Sequence, residues 1–219
     1  ALTLVIGVVL TVVGLIFNDP ILKAIGVPSD VFSEASTYLS IYFWSLIFVM
    51  IYNMGSGILR SVGDSKRPLY FLIFSSVINI VLDFLFVKNF GFGVAGAGYA
   101  TLIAQAISAI MVMYVLMKTE DSYKVVLKDI KFDKEILLKI IKIGLPTGFQ
   151  QSIVSLSNVI VQSYINVYGA SVIAGYSVTI KIDGFVNLPL QAFNMAITTF
   201  VGQNIGAKQY NRVKKGAYI

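Results

Sequence analysis

Residues 60–105, RSVGDSKRPLYFLIFSSVINIVLDFLFVKNFGFGVAGAGYATLIAQ, decide how the rest of the chain is read. Between Leu69 and Val87 the only charged side chain is Asp83. A helix over that run is about 28 Å long, close to the hydrocarbon thickness of a bilayer. Placing an ionised aspartate there costs roughly 2.5 to 3.5 kcal/mol on insertion scales, so it needs polar partners or water. Ser75, Asn79 and Asp83 recur at i, i+4 and i+8 and therefore stack on one helical face. The next apolar run carries Thr101, Gln105 and Ser108 at similar spacing, which predicts two adjacent helices sharing a polar seam. An asparagine or threonine alone reads as ordinary interhelical hydrogen bonding. The carboxylate reads as function.

Composition agrees with a membrane setting. The 219 residues are 57% hydrophobic and 13% charged, with mean hydropathy +0.81; a soluble domain carries about 25% charge. The net charge of +6 could suggest nucleic acid, but the basic residues lie beside apolar spans, where they set topology. With no cysteine and no histidine, disulfides, thiolate chemistry, the usual zinc sites and Ser-His-Asp catalysis are excluded within the chain. The chain opens inside an apolar run with no basic flank or cleavage site. The expectation is a piece of a longer protein, not a signal peptide.

Six spans are predicted: Leu2 to Phe17, Ala35 to Leu59, Leu69 to Val87, Val94 to Met117, Ile143 to Tyr168 and Val172 to Phe200. The first helix is expected to end at Asn18-Asp19-Pro20, and the second to start with Ser29 or Asp30 as cap. Loop charge then alternates. Asp19, Asp30 and Glu34 outweigh Lys23 in the first loop, whereas Arg60, Lys66 and Arg67 outweigh Asp64 in the second. Residues 118–142 and the tail, with Lys208, Arg212, Lys214 and Lys215, are again basic. Gly169-Ala170-Ser171 is an uncharged external turn. The positive-inside rule therefore predicts a multi-pass protein of the cell membrane with both chain ends cytoplasmic.

Residues 118–142 read as a boundary between residues 1–117 and 143–219. DKEILLKIIK within them, with Asp133 as candidate cap, fits an amphipathic interfacial helix or a solvated linker helix equally. Gly91-Phe92-Gly93-Val94-Ala95-Gly96 matches a dinucleotide fingerprint by letters, but it lies between two spans, without the strand that motif needs. Its small residues instead predict close helix approach. The fifth span carries Gln151, Ser155, Asn158, Gln162 and Asn166, and the sixth Asp183, Asn187, Gln191 and Asn194, each on one stripe. So many amides predict a hydrated cavity, against the alternative of a dry interhelical network. Pro189 should kink the sixth span.

ILKAIGVPSDVFSEASTYLSIY, GILRSVGDSKRPLYF, NIVLDFLFVKNFGFGVAGAGYATLIAQ, KIGLPTGFQQS and FVGQNIGAKQYNRVKKG, in this order and spacing, resemble the multidrug and toxic compound extrusion (MATE) transporters. The resemblance runs over nearly the whole chain. It implies an all-α membrane protein, six helices out of a two-lobe, twelve-helix transporter, here helices three to eight. Residues 1–117 would complete the N-terminal lobe, 118–142 form a cytoplasmic interlobe linker, and 143–219 open the C-terminal lobe. The family's N-lobe cation site is similar to Asn79, Asp83 and Thr101, with Asn53 as the fourth-helix ligand and an aspartate from a first helix that this chain lacks. Where some members have an acid in helix seven, this chain has Gln150 and Gln151.

The expected function is efflux of amphipathic, often cationic organic compounds by antiport with Na⁺ or H⁺. Asp83 would bind the ion, and the protein would work as a monomer at full length, without cofactor, catalytic residue or nucleic acid. Gln151, Asn158, Gln162, Asp183, Asn187, Gln191 and Asn194 would line the cavity. A lipid-linked oligosaccharide or lipid flippase of the same superfamily is the alternative. A membrane-embedded lipid-processing enzyme is more distant, since Asp83 and Asp183 are the only acids inside spans.

Overall fold

The computed structural model describes residues 1–166, 168 and 170–217; Val167, Gly169 of the expected external turn and the last two residues of the chain lie outside them. Seven α-helices follow one another: α1 (Leu2–Ala24), α2 (Phe32–Ser61), α3 (Lys66–Asp83), α4 (Gly93–Lys118), α5 (Lys134–Asn166), α6 (Ala170–Gly206) and α7 (Tyr210–Ala217). Four stretches are long and apolar enough to cross a membrane: Leu2–Ala24, Phe32–Ser61, Lys66–Asn89 and Gly93–Lys118. Helices α5 and α6 are longer, at 33 and 37 residues, but amide stripes dilute their apolar content. The chain forms two units, Ala1–Lys131 and Phe132–Ile219.

Small residues set the packing of the first unit. In α1, Gly7 lies under Ile47 of α2, and the Thr11 hydroxyl donates to the Phe43 carbonyl at 3.0 Å, so the two helices run antiparallel. Gly98 of α4 seats Ile41 of α2, and Gly55 of α2 seats Val112 of α4. Both contacts keep the same offset in sequence, so α2 and α4 are parallel and in fixed register. Gly96 of α4 approaches Phe86, which makes α3 and α4 an antiparallel hairpin. At the opposite end of that hairpin, Tyr52, Leu59, Phe71, Val112 and Leu116 form a buried apolar cluster. There the Tyr52 hydroxyl donates to the Pro68 carbonyl at 2.9 Å. The outward faces stay apolar, as in Val8, Val12, Phe74 and Val77, which suits lipid or further helices.

Several helix ends differ from expectation. Helix α1 does not stop at Asn18-Asp19-Pro20 but runs through Pro20 to Ala24. The proline removes one backbone hydrogen bond near the end, while burial of Leu22 and bonds from the Asn18 amide to Ser36 and Ser40 of α2 hold the extension in place. Neither Ser29 nor Asp30 caps α2, whose first residue follows Val31 without a side-chain bond. Asp133 does cap α5: its Oδ1 accepts from Glu135 N at 2.9 Å and Ile136 N at 3.0 Å. From that cap the helix continues without a break through Pro146, so the interfacial segment and the fifth span are one element. Helix α6 likewise continues through Pro189.

Candidate functional site

Asn79 and Asp83 sit one turn apart at the end of α3, on the face that also buries Ser75. Directly after Asp83 the backbone widens into a π-helical turn, Phe84–Asn89, a form that recurs at functional sites. The Asn79 Nδ2 and Asp83 Oδ1 atoms are both buried, and neither has a hydrogen-bond partner. Unsatisfied polar atoms in such a setting cost about 1 to 3 kcal/mol each, more for a charged group. They are tolerated where a ligand or water completes them. The nearby Lys88 ammonium lies over the Phe84 ring, 4.6 Å from its centroid, and not on the carboxylate.

Thr101 approaches from α4. With Gly96 against Phe86, three residues back along one antiparallel helix match three forward along the other. Asp83 is therefore level with Tyr99, and Thr101 sits about 3 Å further along the axis. Around α4, Thr101 lies about 140° from Gly96 and about 60° from Gly98, in the groove between the α3 and α2 contacts. Its hydroxyl donates to the Ala97 carbonyl at 3.0 Å, leaving the oxygen lone pairs as acceptors.

Asn53 does not join this group. It is exposed on α2, and the α2–α4 register places it level with Ile110, about 14 Å beyond Thr101. The α2 residue near the level of Asp83 is instead Ser45, fully buried, its hydroxyl donating to the Tyr42 carbonyl at 2.7 Å. Nothing in the run YFWSLIFV marked that serine. Asn18, buried at 4% exposure with Oδ1 unpartnered, was likewise read as a helix stop and is in fact a bridge between α1 and α2.

In the second unit, Gln151, Asn158, Asp183, Asn187, Gln191 and Asn194 are exposed and Gln162 is half-buried. The Asn187 amide donates back to the Asp183 carbonyl of its own helix at 2.8 Å. These stripes thus remain open faces of α5 and α6. No cluster of three acidic, cysteine or histidine side chains that could hold a metal ion occurs among the described residues.

These features define an all-α, multi-pass integral membrane protein with a buried acid and amide at a helix irregularity. The MatE family matches residues 1–85 and 146–219, and the chain belongs to that family. It is 36% identical, over 97% of its length, to the probable multidrug resistance protein YoeA of Bacillus subtilis, and 32% identical, over 91%, to the probable multidrug resistance protein YpnP of the same organism. A crystal structure of MATE in the bent conformation superposes with a TM-score of 0.89 at 28% identity over 98% of the chain. The chain spans about half the length of these proteins: 48%, 44% and 48% respectively.

Proposed function

We propose that this chain is part of a secondary transporter that exports amphipathic organic compounds, many of them cationic, in exchange for Na⁺ or H⁺. The observation that carries the proposal is the pair of buried, unpartnered atoms Asn79 Nδ2 and Asp83 Oδ1. An arriving cation or proton supplies what the carboxylate oxygen lacks, and rotation of the Asn79 amide presents its own oxygen to a metal ion. Thr101 adds a third oxygen from α4. Binding then drives the transport cycle to the extent that the ion prefers one packing of the helices over another.

On this reading residues 1–117 belong to one lobe, 118–142 to a cytoplasmic linker, and 143–219 to the start of a second lobe, with both chain ends cytoplasmic. The open amide faces of α5 and α6 line a hydrated substrate path. The complete protein acts as a monomer and needs no cofactor. The multidrug names of its relatives and the basic loops beside its spans support these assignments.

The test is efflux of a cationic dye from vesicles holding the protein at its full natural length, driven by a Na⁺ or proton gradient. Asp83→Asn should abolish the ion-driven component while leaving the protein inserted. Undiminished gradient-driven efflux by the variant would remove Asp83 from the coupling role.

A further inference from the structure

The acids of this chain end at Asp183, yet four basic residues follow within a short stretch: Lys208, Arg212, Lys214 and Lys215. The fold does not scatter them. Asn204, buried beside the end of α6, donates from its amide to the Phe200 carbonyl at 2.7 Å and accepts at its backbone carbonyl from Gln209 N at 2.8 Å. Lys208 takes a left-handed backbone, φ 58°, and donates its N–H to the Ile205 carbonyl, so the chain reverses tightly into α7. Gly216 then lies against the Phe200 ring, with Val213 half-buried one turn earlier. The apolar side of α7 is thus spent on α6.

What faces outward is a cleft of about 460 Å³ lined by Lys208, Gln209, Tyr210, Asn211, Arg212 and Lys215. Its three cations make no ion pair among the described residues; the Arg212 guanidinium bonds only to the neutral Gln209 Oε1, at 3.3 Å. Topology alone requires basic residues on the inner side, but not their convergence on one concave surface. Three uncompensated cations with amides and a phenol between them suit a phosphate. The cleft begins two residues after α6 ends, where basic clusters beside a span meet anionic headgroups, and the exposed Tyr210 supplies the amphipathic ring favoured at that depth.

We infer that the cleft formed by Lys208, Arg212 and Lys215 at the α6–α7 turn binds the headgroup phosphate of an anionic phospholipid in the adjoining leaflet. The inference rests on the proposed placement of α6 across the membrane, but not on the transport reaction. Retention of lipid by the full-length protein in detergent micelles, read by native mass spectrometry with phosphatidylglycerol and phosphatidylcholine added in equal amounts, tests it. Wild type should keep phosphatidylglycerol preferentially, and inorganic phosphate at the same concentration should not displace it. Lys208→Gln, Arg212→Gln and Lys215→Gln together should lower that affinity by roughly a hundredfold, at about fivefold per basic side chain near an anionic surface. All three side chains are exposed, so the fold should persist. The control neutralises Lys128, Lys131 and Lys134, equal in charge but elsewhere in the chain, and should retain the lipid. Equal retention of both lipids, displacement by phosphate alone, or an equal loss in the control variant would each overturn the assignment. These outcomes do not depend on whether Asp83 couples transport.

Discussion

Replacing Gly55 by alanine should wedge α2 away from α4. A Cβ at this position would lie 2.8 and 2.9 Å from the two Val112 methyls and 3.2 Å from Leu116 Cδ1. Carbon atoms in contact prefer about 3.5 to 4.0 Å, so roughly 0.7 Å must be found in one direction. Val112 and Leu116 are both fully buried, and a valine in a helix has one favoured rotamer, so neither side chain can turn aside freely. Overpacking of this kind costs typically 1 to 3 kcal/mol; about 2 kcal/mol is expected here. Val112→Ala alone also costs about 2 kcal/mol, from two buried methyls at about 0.8 kcal/mol each and the cavity they leave. In the double variant the methyl introduced at position 55 occupies the space vacated at position 112. The pair should then lose about 1 to 2 kcal/mol, well short of the sum of the single losses. Equilibrium unfolding of the four proteins in mixed detergent and dodecyl sulfate micelles measures this cycle. Additive losses, within about 0.5 kcal/mol, would refute the claim that these two residues set the α2–α4 register.

Two further outcomes follow from single contacts. Tyr52→Phe leaves the buried Pro68 carbonyl without its donor and should destabilise the first unit by about 1 to 2 kcal/mol in the same unfolding assay; an unchanged midpoint would mean that water replaces the phenol. The Thr119 hydroxyl, followed by the Tyr123 side chain, holds the Asp121 carboxyl below the usual carboxylate range. Because the folded value is the depressed one, the associated stability is complete above the unfolded value of about 4 and is lost as pH falls through the lower folded value. Thr119→Val should move the Asp121 titration, followed by carboxyl-carbon resonance, upward. A titration midpoint that stays put would discount the hydroxyl.

The apolar runs made the membrane helices legible, because a bilayer demands long stretches with satisfied backbones. Asp83 and Asn79 were legible for the same reason: a polar stripe inside such a stretch has no lipid-facing explanation. Helix ends were harder. Pro20 and Pro146 look like stops, yet each removes only one hydrogen bond, and contacts made by neighbours such as Asn18 and Leu22 decide whether the helix goes on. Asn53 shows a different difficulty. Its place along the bundle follows from how Gly55 and Gly98 seat residues of the facing helix, a pairing distant in sequence and invisible to periodicity. Ser45 was hidden likewise, since one small hydroxyl among aromatics forms no pattern. The amide stripes of α5 and α6 were readable as stripes, and the structure leaves those faces open within their own unit.

The widened turn after Asp83 gives the hairpin a place to absorb slack. A turn of this kind holds one residue more than an ordinary helical turn. Deleting a single residue between Phe84 and Asn89 should let the backbone tighten, with Ser75, Asn79 and Asp83 undisturbed upstream. The same deletion would swing everything downstream by about 100° and 1.5 Å, unseating Phe86 from Gly96. Length changes there would register as a loosened hairpin, while the acid and its amide neighbour keep their mutual geometry.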